Sequence, residues 1–155
     1  MSERKNLTNL LLFIVTAELT GALSALLSGG FSDFYAQMKE PPLLPPSWLF
    51  PVVWTVLYAL MGFSAYLVYS SDKDSGCLKI YAAQLAVNFI WTIIFFRFRA
   101  LWLSFAVIIL LWILILAMIR CFYKIRKSAG LLNIPYLLWV SFAAYLTLSI
   151  AVLNS

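Results

Sequence analysis

Five long apolar runs, each about as long as a bilayer is thick, constrain this chain more than any other feature. They cover residues 7–27, 48–69, 78–96, 101–122 and 131–153. An α-helix of about 20 apolar residues crosses the hydrocarbon core. The runs lack the alternation of apolar and polar residues that barrel strands require. The sequence therefore predicts an all-α, polytopic membrane protein with a bundle of five transmembrane helices.

The composition agrees with lipid as the main solvent. Of the 155 residues, 64% are hydrophobic and the mean hydropathy is +0.95, whereas soluble domains are about 45–50% apolar. Only the connection at 28–47 is long, and short connections favour antiparallel neighbours in one bundle. We therefore expect a single transmembrane domain over residues 1–155, without a soluble domain.

The first run also has features of a secretory signal. Arg4 and Lys5 precede it, and the sequence "ALS" at 22–24 could serve as a cleavage site. The run is longer than a usual signal core and contains Glu18, so we interpret it as a retained span.

The basic residues are concentrated on one side of the predicted bundle. With a cytoplasmic amino terminus, Lys39, Arg97 and Arg99 lie outside, and the other basic residues lie inside: Arg4, Lys5, Lys73, Lys79, Arg120, Lys124, Arg126 and Lys127. The positive-inside rule then predicts a cytoplasmic amino terminus and an external carboxyl terminus. Together with the short amino-terminal segment, this charge pattern fits a bacterial plasma membrane. The net charge of +5 needs no nucleic-acid partner.

Cysteine and histidine usage predicts neither a metal site nor a cofactor. Cys77 and Cys121 fall near cytoplasmic span ends and give no disulfide framework or metal signature. We interpret them as apolar filler or palmitoylation sites. Histidine, the commonest general base and haem ligand, is absent.

Three spans carry a stripe of aromatic and hydrogen-bonding side chains. Residues three or four apart share a helix face, and the stripes consist of Trp54 and Tyr58 in the second span, Gln84, Asn88 and Trp91 in the third, and Tyr136, Trp139 and Ala143 in the fifth. Such stripes fit a cavity for a flat, apolar molecule with a few polar groups. Bundle packing and interfacial aromatic belts produce the same pattern, so both interpretations remain open. Trp48, at a span end, fits the belt.

Glu18 lies near the middle of the first span. It can act as a proton relay or contact a cation, or it can be a neutral carboxyl that is hydrogen-bonded to a neighbouring helix. No basic residue lies inside a span to pair with it, which favours the neutral, structural interpretation.

Small residues indicate where helices can approach closely. They recur every fourth position in the first span, at Ala17, Gly21, Ala25 and Gly29, and in the third span at Ala82 and Ala86. Such lines serve contacts within one chain or between two.

The connection at 28–47, called here the lid segment, has its own structure. Gly29 and Gly30 end the first span, and Ser32 can cap a short helix over "DFYAQMK" at 33–39. The following "EPPLLPP" at 40–46 cannot be helical because of its prolines. We expect this stiff stretch to lie over the mouth of the bundle.

Three motifs together resemble a known family. They are "PPLLPPSWLFPVVWTVLYALMG" at 41–62, "QLAVNFIWTIIFF" at 84–96 and "PYLLWVSFAAYL" at 135–146. Their order and spacing are similar to those of the translocator protein family, the tryptophan-rich sensory proteins also called peripheral-type benzodiazepine receptors. The resemblance implies a five-helix bundle, often dimeric, with a ligand pocket under the lid segment.

The resemblance also implies a ligand and a set of site residues. Family ligands include porphyrins such as protoporphyrin IX, and some bacterial members are reported to degrade porphyrin with light and oxygen by means of pocket tryptophans. The ligand-binding residues by motif position are Tyr35, Pro45, Pro46, Trp54, Asn88, Trp91, Trp139 and Ala143, and Tyr58 joins them from the stripe of the second span. Trp54 and Trp139 would be catalytic if degradation occurs. Ala82 and Ala86 would form a homodimer surface.

The chain departs from the family pattern in three places. Leu43 replaces a tryptophan of the lid, and Thr147 replaces an asparagine near the pocket. No basic residue follows Tyr145, so the cholesterol motif of animal members is incomplete and a sterol ligand is not expected.

We expect a membrane protein that binds or senses a tetrapyrrole, and two alternative functions remain open. The alternatives are a light-dependent enzyme that degrades porphyrin and, third, a porphyrin or sterol transporter. The sequence shows no acid–base pair for ordinary catalysis and no inverted repeat typical of transporters.

Overall fold

The protein is a bundle of helices in a computed structural model that describes residues 2–155. The helices are α1 (Ser2–Ser28), α2 (Phe31–Ala36), α3 (Leu49–Ser71), α4 (Cys77–Phe96), α5 (Leu101–Ile125), α6 (Lys127–Leu131) and α7 (Ile134–Leu153). Among the described residues, five stretches are long and apolar enough to cross a membrane: Glu3–Ser28 of α1, then α3, α4, α5 and the stretch from α6 through α7. The predicted all-α transmembrane bundle is confirmed.

Helix α5 supplies the centre of the core. Ile108, Leu111, Ile115 and Met118 are spaced three or four residues apart and are fully buried, as expected for one face of a helix. This face packs against α4 on one side and α7 on the other. Helix α1 packs on α3 and α4, and its leucines on the opposite side, such as Leu19, are exposed. That face is suited to lipid.

Small residues bring α1 close to α3. Ala17 is fully buried, and Gly21 lies directly against the ring of Tyr58, so the small-residue line in the first span forms a contact within the chain. The closest approach involves a glycine of α3. A Cβ atom on Gly62 would lie 2.6 Å from the Cα of Ile14 and 2.7 Å from the carbonyl oxygen of Phe13. The two backbones therefore touch at Gly62.

Cys77 and Cys121 form a disulfide, so the prediction that they make none is wrong. Helices α4 and α5 form a hairpin around the short turn at 97–100, which places the first residue of α4 beside the last turns of α5. The two Cα atoms lie 5.6 Å apart, within the usual range for a disulfide. The cysteines are 44 residues apart in sequence, and only the register of the hairpin brings them together.

The lid segment begins with a sharp reversal of the chain. Gly29 and Gly30 have φ angles of +86° and +100°, a region that favours glycine, and α2 starts immediately after them. Gly30 is the N-cap and no side chain caps the helix, so the predicted capping role of Ser32 is wrong. The glycine pair reverses the chain early enough that Ser32 falls inside the first turn. The helix also ends at Ala36, sooner than predicted.

A few polar contacts hold the rest of the lid segment on the bundle. The side chain of Asn154, after α7, accepts a hydrogen bond from the Lys39 backbone N–H at 2.9 Å and donates one to the Lys39 carbonyl at 3.3 Å. The Tyr145 hydroxyl donates to the Pro42 carbonyl at 3.1 Å. These contacts join the lid segment to the second half of α7 and to the residue that follows it.

Candidate ligand-binding site

Two adjacent cavities lie beneath the lid segment. The first, called here the α1-side cavity, has a volume of about 170 Å³ and is bounded by α1, α3, α4 and the first residue of α2. The second, the α7-side cavity, has a volume of about 20 Å³ and is bounded by α2, α3, α4 and α7. Both are lined by Phe31, Trp54, Trp91 and Phe96. These four rings form the shared wall between the cavities.

Most residues predicted to bind ligand surround these cavities. Tyr58 lines the α1-side cavity, and Tyr35, Trp139 and Ala143 line the α7-side cavity. Thr147, the departure from the family pattern, also lines the α7-side cavity. Helices α3, α4 and α7 thus present their aromatic stripes to one region of the bundle.

The two lid prolines occupy a separate place. Pro45 and Pro46 line a groove of about 350 Å³ on the lid segment, together with Tyr35. Tyr35 also lines the α7-side cavity, so this residue borders both spaces. Burial raises the pKa of Tyr35 above its ordinary value, so its hydroxyl stays protonated even at a pH at which a free tyrosine ionises.

Aromatic contacts connect the lid segment to the cavity walls. The ring of Tyr35 stacks on Phe50 of α3 with a centroid distance of 5.5 Å, and Phe50 contacts Trp139 of α7 at 5.9 Å. On the other side, Phe31 of α2 contacts Phe96 of α4 at a centroid distance of 4.6 Å, and Phe96 lines both cavities. A movement of α2 would therefore change the position of rings on both cavity walls.

Two tryptophans present unused hydrogen-bond donors. The Nε1 atoms of Trp91 and Trp139 are buried and have no hydrogen-bond partner among the described residues. An indole N–H can only donate, and leaving such a group unpaired costs roughly 1–3 kcal/mol. Because both nitrogen atoms are buried, a ligand with acceptor oxygens can pair with these donors only if the cavity walls move.

Asn88, which the sequence grouped with Trp91, lies on neither cavity wall. Its Nδ2 donates to the hydroxyl of Tyr136 at 2.8 Å, and that hydroxyl donates to Oε1 of Gln84 at 2.8 Å. All three side chains are at most 1% exposed. The stripe of the third span is thus divided: Gln84 and Asn88 hold α4 to α7, and Trp91 faces the cavities.

Several residues that line the α1-side cavity, Glu18 among them, were not predicted from the sequence to do so. Glu18 lines the α1-side cavity, as do Thr55 and Thr92. Because Glu18, Gly21 and Ala25 are spaced three and four apart and all line this cavity, their spacing could have indicated one face of α1. Phe31 and Phe96 gave no such signal, since their role depends on how the lid segment folds back.

The chain is similar to known proteins along most of its length. Residues 11–153 match the TspO/MBR family. The protein CrtK of Rhodobacter capsulatus is 36% identical over 153 residues, covering 96% of this chain and 94% of that protein. The tryptophan-rich sensory protein of Cereibacter sphaeroides is 35% identical over 79% of this chain and 77% of its own length, and the translocator protein of Ovis aries is 33% identical over 73% and 70%. The chain belongs to the TspO/MBR family, as its three motifs indicated.

Proposed function

We propose that this integral membrane protein binds or senses a tetrapyrrole, with protoporphyrin IX as the reference ligand, in the joined space of the two cavities. The observation that carries the proposal is the pair of buried, unpartnered indole donors at Trp91 and Trp139 within aromatic walls. A porphyrin is flat and apolar and carries carboxylates. Its ring would lie against the tryptophan faces, and its oxygens would accept from the indoles.

The volumes imply that a ligand changes the structure. Ligand sites usually occupy about 300–1,000 Å³, whereas the cavities here measure about 170 and 20 Å³. A porphyrin therefore requires the shared aromatic wall to move. The part of the lid segment after α2 is suited to move with it, because Asn154 and Tyr145 hold that part by exposed hydrogen bonds. Helix α2 itself follows two glycines and is packed on the bundle through the buried Phe34.

A porphyrin titration in the dark tests the proposal. The shift of the porphyrin Soret band should give saturable binding, and Trp91→Phe and Trp139→Phe should each weaken it about tenfold, because each removes one donor and part of one wall. Trp48→Phe is the matched control, since Trp48 is 64% exposed and lines neither cavity. Binding that is equally strong in all three variants would contradict the assignment.

The same titration under light addresses the alternative of a porphyrin-degrading enzyme. Trp54 lines both cavities and Trp139 lines one, so both rings would lie beside a bound photosensitiser. If turnover occurs, the Soret band should fade faster in the complex than in free porphyrin. The double variant Trp54→Phe and Trp139→Phe should then fade only at the rate of free porphyrin. Equal fading leaves binding without turnover.

We also propose that the protein forms a homodimer through α4. Ala82, Ala83, Ala86 and Ile90 are exposed along this helix, and a row of small residues lets a second helix approach closely. In native membranes, Ala86→Cys should therefore yield a disulfide-linked dimer on mild oxidation. Val56→Cys, on an exposed face of α3, should not. Equal cross-linking at both positions, or none at Ala86, would contradict this interface.

A further inference from the structure

A second site lies between α3 and the connection from α5 to α7. It is an open groove of about 520 Å³, and its apolar lining includes Leu60, Phe63 and Leu131. Phe63 and Leu131 are 37% and 57% exposed. The groove is formed by the second half of α3 and by α6, whereas the lid segment contacts the first residues of α3. It is thus at the other end of the bundle from the cavities.

The groove changes from basic to apolar along its length. Arg126 and Ser128 line one end, beside the exposed Lys124 and Lys127. From Leu67 to Leu60 the lining then follows α3 for about 10 Å of helix axis, toward the middle of the span. Such a gradient matches a molecule that has an anionic head and an apolar tail.

Charge in this region favours an anion. Residues 120–155 contain no acidic side chain, and the acidic residues in the connection from α3 to α4, Asp72 and Asp74, do not line the groove. An arginine can donate two parallel hydrogen bonds to a phosphate group. Basic pockets between transmembrane helices are known to bind anionic lipid headgroups.

Buried contacts fix the shape of the groove. The Nδ2 of Asn133 donates to the hydroxyl of Ser64 at 2.8 Å and to the carbonyl of Ala129 at 3.0 Å, which ties α6 and the start of α7 to α3. A Cβ atom on Gly130 would lie 2.7 Å from the Cβ of Tyr123, so α6 is also packed tightly on α5. The groove is therefore a formed feature of the bundle.

We propose that this groove binds an anionic phospholipid, with the phosphate on Arg126 and Ser128 and an acyl chain along Leu60, Phe63 and Leu131. The site is independent of the tetrapyrrole proposal, because none of these residues lines either cavity under the lid segment. It assigns a function to Arg126 beyond the role in membrane orientation that the charge pattern of the sequence predicts.

Native mass spectrometry of the purified protein tests this site. From micelles with equal amounts of phosphatidylglycerol and phosphatidylcholine, the wild-type protein should retain phosphatidylglycerol preferentially. Arg126→Gln should lower the ratio of the two retained lipids about fivefold, the effect of one basic group near a phosphate. Lys79→Gln is the matched control, since Lys79 is an exposed cation near the same end of the bundle that does not line the groove.

Three results would overturn the proposal. They are equal retention of the two lipids by the wild-type protein, the absence of retained lipid, and a decrease of equal size in Lys79→Gln. The last would show a response to overall surface charge instead of a site. A decrease confined to Arg126→Gln supports the groove.

Discussion

Replacing Gly62 by alanine should lower the free energy of unfolding by about 2–3 kcal/mol, a cost typical of overpacking. Alanine is the better helix former by about 1 kcal/mol, so propensity alone predicts the opposite sign. Packing decides the outcome here, because the new methyl group would lie 2.6 Å from the Cα of Ile14 and 2.7 Å from the carbonyl oxygen of Phe13. Both are backbone atoms, so α1 itself must move away from α3.

Thermal unfolding followed by tryptophan fluorescence measures this effect, and the midpoint should fall by about 5 °C or more. Gly76→Ala is the matched control. A Cβ atom at Gly76 would meet nothing within 4 Å, and its φ of −59° suits any residue, so this variant should be neutral or slightly more stable. If Gly62→Ala were as stable as Gly76→Ala, backbone contact between α1 and α3 would not be important.

The number and type of the transmembrane helices could be predicted from the sequence, because the thickness of the bilayer sets how many consecutive apolar residues a spanning helix needs. The ends of the helices did not. Helix α1 begins at Ser2, several residues before the apolar run, since polar residues can continue a helix in water. The fifth span divides at Asn133, whose side chain donates a hydrogen bond to the hydroxyl of Ser64 in α3. No local pattern reveals such long-range bonds.

The site could be predicted only in part for a related reason. Helical periodicity placed Trp54, Trp91 and Trp139 on the correct faces, and these side chains meet at the cavities. Periodicity also grouped Asn88 with Trp91, because it describes one helix and ignores its neighbour. Tyr136 of α7 binds Asn88 and leaves Trp91 to the cavities. Pairing between helices decides which polar groups remain for a ligand.

Removing the hydroxyl of Tyr136 should be costly because two buried side chains depend on it. In Tyr136→Phe, Oε1 of Gln84 loses its donor and Nδ2 of Asn88 loses its acceptor. Buried unpaired groups cost roughly 1–3 kcal/mol each, but hydrogen bonds between membrane helices average only about 0.6 kcal/mol. We therefore expect a loss of about 2 kcal/mol in the free energy of unfolding, measured by thermal or denaturant unfolding in detergent.

A control and a compensating variant distinguish the network from simple loss of a hydroxyl. The hydroxyl of Tyr81 is buried and has no hydrogen-bond partner within residues 2–155 as described, so Tyr81→Phe should be neutral or stabilising. Combining Tyr136→Phe with Gln84→Met and Asn88→Leu removes every group of the network and should recover part of the loss, because apolar replacement of both partners can be nearly neutral. If Tyr136→Phe behaves like Tyr81→Phe, or if the triple variant loses the sum of its single losses, the three side chains do not act as one unit.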